Sequence, residues 1–219
     1  CQEMDMEVLP PNVQQSVNHF RPENGNIRFG LAGIKGVGSG AVDNLVAERD
    51  KNGPYKGLID FCVRVDPHVV NKKSLEALIQ AGAFDWTGIN RARLFNGLEF
   101  AISRAETIRS DRASGQINMF DLMGESGGDE ADCNDEDLPE VEMWPTSQML
   151  AYEKFLLGFY ITGHPLDDFY WEAEEFATTA PEKIGDLEAK TDVRVAGIIT
   201  QWRKFFNRKG DPMASFRLE

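Results

Sequence analysis

Four glycines within eight residues, Gly33, Gly36, Gly38 and Gly40, constrain this chain more than any other feature. Glycine lets a backbone turn sharply and lie close to another backbone or to a ligand. Residues 27–50, IRFGLAGIKGVGSGAVDNLVAERD, pass from a short apolar lead-in through that cluster into an amphipathic helix. Ala41, Val42, Leu45 and Val46 fall on one face of it, and Asp43, Asn44, Glu48 and Arg49 on the other. Ser39 is the expected N-cap. A helix that starts directly after such a loop leaves backbone N–H groups without partners, and its dipole favours negative charge at that end. The loop is therefore a candidate phosphate cradle.

Three readings of the loop compete. Gly36-Val37-Gly38-Ser39-Gly40-Ala41 satisfies the dinucleotide-binding pattern GxGxx(G/A), with Asp60 at a suitable distance for a ribose contact. This version makes the chain a nicotinamide-dependent oxidoreductase and requires a strand before the loop and a second, parallel strand after the helix. Gly30, Ala32 and Gly33 weaken the first strand, and KNGPYKGLIDF opens with turn residues where the second should approach. Alternatively, the glycines only make a tight turn between packed helices of an interaction scaffold. In the third reading, Leu31-Ala32-Gly33-Ile34-Lys35-Gly36-Val37-Gly38, followed by Ala41 and Leu45, resembles a helix-hairpin-helix motif, whose hairpin runs hydrophobic-Gly-hydrophobic-Gly. That resemblance implies hairpin amides that hold one nucleic-acid phosphate without reading bases. Lys35 stands where many such hairpins carry proline and adds a cation.

The totals fit a globular chain of one large or two small domains: 219 residues, 42% of them hydrophobic. Cys1, Cys62 and Cys133 are too few and too scattered for a disulfide framework or a zinc site, which points to a reducing, cytoplasmic compartment. No long apolar run or signal peptide is present, so no membrane partner is expected. A start at Cys1 and an end within an apparent strand pair mark the chain as an expected fragment. The net charge of −13 is unevenly placed. Residues 1–115 carry 14 Lys/Arg against 14 Asp/Glu, residues 116–144 carry none against 10, and residues 145–219 carry 9 against 12. Outside one acidic tract the chain is near neutral, which is compatible with a localised basic face.

Along the chain, Pro10 and Pro11 forbid a continuous helix near the start, and Pro22-Glu23-Asn24-Gly25-Asn26 reads as a turn. Asn52-Gly53-Pro54 stops the first helix, and Leu58, Ile59, Phe61 and Val63 follow as a short buried helix or turn. Asn71-Lys72-Lys73-Ser74 leads into a helix that Ala81-Gly82-Ala83-Phe84 breaks, and a long helix begins near Asn90 with Leu94, Phe95, Leu98, Ala101, Ile102 and Ala105 buried. Helix, glycine break, helix is thus written twice. Arg91 and Arg93 open the last of these helices and are candidates for phosphate contact.

LAGIKGVGSGA, NKKSLEALIQAGAFDWTGINRARL and EKFLLGFYITGHPL together resemble the region behind the fingers of the alpha subunits of bacterial DNA polymerase III, the C-family replicative polymerases. The resemblance implies a mainly α fold: a tandem helix-hairpin-helix bundle, an acidic loop, a further helix and the first β-hairpin of an OB-fold. It implies a division into the end of the fingers or connector (1–30), the tandem DNA-binding region (31–115), a clamp-binding motif with an acidic linker (116–143), a helical connector (144–190) and the start of the OB-fold (191–219). It further implies a parent polymerase that grips duplex DNA here; with the two arginines read from their position, the residues expected to make the contact are Lys35, Gly36, Val37, Gly38, Ser39, Gly40, Arg91 and Arg93. The catalytic carboxylates and their magnesium belong to a palm domain elsewhere. This segment is accordingly expected to be inactive alone, with no catalytic residue, metal ligand or cofactor of its own.

Gln116-Ile117-Asn118-Met119-Phe120 precedes an acidic, glycine-rich stretch with the composition of a disordered segment. Met119 and Phe120 could fold back as core contacts of the preceding helix. Gln-x-x-Met-Phe is also similar to the sliding-clamp-binding peptide of this polymerase family, in which the glutamine makes polar contacts and the hydrophobic pair fills a pocket.

Beyond it, Trp144-Pro145 and Ser147 start a helix carrying Met149, Tyr152, Leu156, Phe159 and Tyr160, ended by Gly163-His164-Pro165. His164 reads as a turn residue. The aromatic and acidic run 169–176 is expected to pack on that helix. Alternation over residues 193–200, then a polar turn at 207–211 and a run at 213–218, predicts a β-hairpin. Trp202, Arg203, Lys204, Arg208 and Lys209 suit single-stranded template by stacking and charge.

Overall fold

A computed structural model describes residues 6–114, 133–179 and 181–218. The chain divides into two units, Cys1–Thr162 and Gly163–Glu219, a boundary that falls inside the segment 144–190. The first unit opens with a small sheet of β1 (Val8–Leu9), β2 (Arg21–Glu23) and β3 (Asn26–Arg28), in the order β1-β3-β2. β1 runs parallel to β3, and β2 pairs antiparallel with it. The β2–β3 turn consists of Asn24 and Gly25, with φ of 50° and 84°, the left-handed pair that a two-residue hairpin needs. The turn is where the sequence places it; the strands flanking it are an addition from the structure.

The helical part begins with a single turn at Leu31–Gly33, followed by α1 (Ser39–Asn52), α2 (Leu58–Arg64) and α3 (Lys72–Gln80). Asn71 starts α3 by accepting a hydrogen bond from the Ser74 N–H, and Asn90 does the same from Arg93 for the next helix, as N-cap asparagines do. Instead of one long helix from Asn90, the structure has α4 (Arg91–Asn96) and α5 (Leu98–Ser114), divided at Gly97. At the division a Cβ on Gly97 would lie 2.7 Å from a Leu138 methyl, so glycine there admits the returning chain. Leu94, Leu98, Ala101 and Ala105 form the buried stripe, while Phe95 and Ile102 are only partly covered. The centre of the unit is filled by fully buried side chains, among them Phe29, Phe61, Phe84, Leu45 and Leu78.

Residues 133–142 strap across this bundle. The Asp135 carboxylate accepts hydrogen bonds from the N–H groups of Leu58 (2.6 Å) and Ile59 (2.9 Å) and so satisfies the start of α2 from far along the chain. Burial raises the Asp135 carboxyl above its ordinary value, against the lowering effect of those two bonds. α6 (Thr146–Leu157) then packs against α3. It ends at Gly158, with φ of 88°, rather than at the Gly163-His164-Pro165 turn. A left-handed glycine directly after a helix terminates it, and Phe159 and Tyr160 fall outside it.

The second unit contains α7 (Tyr170–Phe176) and an antiparallel hairpin of β4 (Ile199–Phe206) and β5 (Pro212–Leu218). Phe169, Tyr170, Trp171 and Phe176 are exposed. His164 shapes a turn: its N–H donates to Asp167, and its Nδ1 accepts from Leu166. β4 begins at Ile199, later than the alternation suggests, with Ile199 opposite Leu218. Residues 193–198 lie past that pairing, and Arg194 instead exchanges hydrogen bonds with Thr178. A bulge between Thr200 and Arg203, with Gln201 at φ 52°, interrupts the ladder.

The fold is thus mainly α, a helix-hairpin-helix bundle with a further helix and a two-stranded hairpin. Among the described residues no helix is long and apolar enough to cross a membrane.

Candidate nucleic-acid interface

The hairpin at residues 31–40 is anchored by every third side chain. Leu31, Ile34 and Val37 are buried, while Lys35 and Gly36 between them and Gly38, Ser39 and Gly40 after them are exposed. Two successive three-residue turns produce this spacing, with the Ile34 N–H donating to Leu31 (3.1 Å) and the Val37 N–H to Ile34 (3.0 Å). Gly36 sits at φ +94°, in the left-handed region that only glycine enters without strain. From behind, the Ser74 hydroxyl donates to the Gly36 carbonyl (3.2 Å), and the Lys35 N–H donates to the Leu156 carbonyl (2.9 Å).

Among the described residues, the amides of Gly36, Gly38, Ser39 and Gly40 have no hydrogen-bond partner, whereas Ala41 and Val42 both donate to Gly38. Ser39 is not the N-cap. Gly38 is, in an extended conformation and without a side-chain bond, and the first turn of α1 holds no acidic residue. A glycine cap leaves α1 without the oxygen that a serine or aspartate would fold over its own first turn. The positive end of the dipole and the spare amides are consequently open to an external anion. A Cβ built on Gly38 or Gly40 meets nothing within 4 Å, so no neighbouring side chain fills the mouth.

The second glycine break has the opposite character. Gly82, at φ +83°, is covered by the guanidinium of Arg91: a Cβ there would lie 2.3 Å from an Arg91 nitrogen. Arg91 is 7% exposed and donates to Asp85 (2.6 and 2.9 Å), to Glu153 (3.1 Å) and to the Gln80 carbonyl. The break's amides are also used internally, Gly82 toward Ile79 and Ala83 toward Leu78. Arg93 donates to the carbonyls of Glu136 and Leu138 and pairs with Glu140. Both arginines are thus engaged by groups of the fold itself. Their position at a helix start hid this, because Glu153 and the strap 133–142 come from distant sequence.

Lys35, Gly36, Val37, Gly38, Ser39 and Gly40 lie together, with Val37 turned into the core as the anchor. Ser74, Phe155 and Leu156, which hold the hairpin, carry no local signal that would single them out. Gln116, Ile117, Asn118, Met119 and Phe120 lie outside the described residues. Trp202, Arg203, Lys204, Arg208 and Lys209 are all exposed on the β4–β5 hairpin, with the Lys204 ammonium 5.2 Å from the Trp202 ring centroid. Cys62 and Cys133 are buried and not disulfide-bonded; burial pushes the Cys62 thiol up to about 12.

The dinucleotide reading of residues 36–41 fails on topology. α1 is followed by α2 and α3, and the only parallel pair among the described residues, β1 with β3, precedes the loop. Among the described residues no crossover helix leads from the loop to a second, parallel strand, so the crevice that such cofactors occupy is not formed there.

An open glycine hairpin between a buried turn and a glycine-capped helix defines a helix-hairpin-helix protein, and the family profile described as a helix-hairpin-helix motif matches residues 5–94. Over 96% of its length the chain is 35% identical to the DNA polymerase III subunit alpha of Neisseria meningitidis serogroup A, and over 96% it is 32% identical to that of Escherichia coli K12, covering 18% of each. It is 36% identical over its full length to the Pseudomonas aeruginosa subunit, covering 20% of it. The chain belongs to the DNA polymerase III alpha subunit family and spans about a fifth of the length of these relatives.

Proposed function

We propose that this chain is a non-catalytic segment of a cytoplasmic bacterial replicative DNA polymerase, in which the hairpin at residues 35–40 grips the backbone of duplex DNA. The observation that carries the proposal is the set of four unpartnered amides, on exposed residues, at and just before the glycine-capped start of α1. Backbone amides match phosphate oxygens irrespective of base, so the contact positions the protein without reading sequence. The parent's nucleotidyl transfer, and the magnesium it would use, belong to residues outside this segment.

The same proposal makes residues 116–120 the tether to a sliding clamp and gives the β4–β5 hairpin a contact with single-stranded template. The support for the clamp motif is its Gln-x-x-Met-Phe pattern. The support for the template contact is the exposed aromatic and basic side chains at Trp202, Arg203, Lys204, Arg208 and Lys209. A phosphate contact is weak and salt-sensitive alone, but a clamp on the same duplex raises its effective concentration.

Fluorescence anisotropy of the chain with labelled duplexes of unrelated sequence, over a range of salt, tests the central claim. Binding should be equal across sequences, with log K falling about 0.9 per phosphate neutralised as log salt rises. Binding that does not depend on salt, or no binding at all, would instead favour a helical scaffold in which the hairpin only packs.

A further inference from the structure

Lys35 is tied to α6 at two points. Its N–H donates to the Leu156 carbonyl (2.9 Å), and its ammonium lies 3.9 Å from the centroid of the Phe155 ring. The first contact fixes the backbone of the hairpin, and the second fixes the far end of the side chain. Leu156 and Leu157 are buried in the core, but Phe155 is 63% exposed. A large aromatic ring left in solvent on an anchored helix gains little from packing, and the contact it makes is with the one cation of the hairpin.

α6 is itself held firmly where it carries these contacts. Glu153, 1% exposed, accepts hydrogen bonds from Arg91, from the Ile161 and Thr162 N–H groups and from the Thr162 hydroxyl. The ring is therefore presented from a fixed element. A lysine over a ring face keeps N–H donors directed away from the ring. It can hold a phosphate without first losing the freedom of a loose side chain.

We propose that Phe155 is a positioning residue of the phosphate site, holding the Lys35 ammonium beside the glycine amides so that both act on one phosphate. This rests on the duplex-gripping function above, and its test separates the two. Duplex affinity and its salt slope are measured for the whole chain and for Phe155→Ala, Phe155→Leu, Phe155→Tyr, Lys35→Met and the double variant Phe155→Ala/Lys35→Met. Phe155→Ala and Phe155→Leu should bind about 2- to 5-fold more weakly, the range expected for an exposed cation–π contact. Phe155→Tyr should retain affinity, and circular dichroism should show every variant folded.

The salt slope should stay constant in the Phe155 variants, because the charge remains, and fall by about one in Lys35→Met. In the Lys35→Met background, Phe155→Ala should have no further effect. An equal loss in that background would mean that the ring touches nucleic acid directly, and would overturn the proposal. So would full affinity in Phe155→Ala alongside a lowered slope in Lys35→Met, with duplex gripping left standing. Absence of salt-sensitive binding by the unaltered chain would overturn the gripping function and this proposal together.

Discussion

Gly38 and Gly82 show how little a residue's identity says about its use. Both sit in glycine breaks between helices, yet one faces solvent and the other lies under an arginine. Gly38 is extended, at φ −79° and ψ 151°, with room for a side chain, so aspartate fits there and would cap α1 from within. Gly38→Asp should leave the melting temperature unchanged or slightly raised while duplex binding is lost, because the new carboxylate both occupies the amides and repels phosphate. A variant that binds as before would show that the phosphate sits elsewhere. Arg91 behaves in the opposite way. Its removal strands the buried Glu153 carboxylate and opens the space over Gly82, so Arg91→Ala should cost about 3–5 kcal/mol in urea unfolding. The loss is expected in the absence of DNA, as befits a residue of the core.

At the scale of elements, the join between α1 and α2 depends on one guanidinium. Arg64, at the end of α2, donates to Glu48 of α1 (3.0 Å), to Asp60 (3.2 Å) and to the Gly53 and Pro54 carbonyls, and lies over the Tyr55 ring. Burial pushes the Glu48 carboxyl up, but hydrogen bonds from Asn52 and Arg64 outweigh it and leave it below its ordinary 4.5. A carboxylate lowered by folding stabilises the fold above its unfolded value, and that contribution is lost as pH falls through the folded one. Unfolding midpoints should therefore drop below about pH 4.5, and Glu48→Gln should flatten that part of the profile; an unchanged profile would remove Glu48 from the account.

Elements were legible where local chemistry decides them. The start of α3 at Asn71, the stop of α1 at Gly53 and the turn at Asn24-Gly25 each follow from a single residue's preference. The approach of Leu138 to Gly97 and the bulge in β4 were not legible, since each involves chain from elsewhere in the sequence.

For the whole molecule, the proposed clamp tether and the hairpin are separate contacts on one chain. Phe120→Ala should weaken binding to a purified sliding clamp at least tenfold, the scale of a lost hydrophobic anchor, while duplex binding stays constant. Equal losses in both assays would mean that the two contacts are not independent. The sequence alone determined that a glycine hairpin followed by an amphipathic helix is present and where it lies, because turn geometry and helix periodicity are properties of neighbouring residues. The tertiary structure alone decided which of the two glycine breaks is open and which arginines are occupied. Those outcomes depend on Glu153, Leu156 and the strap 133–142, whose approach in space no local pattern encodes.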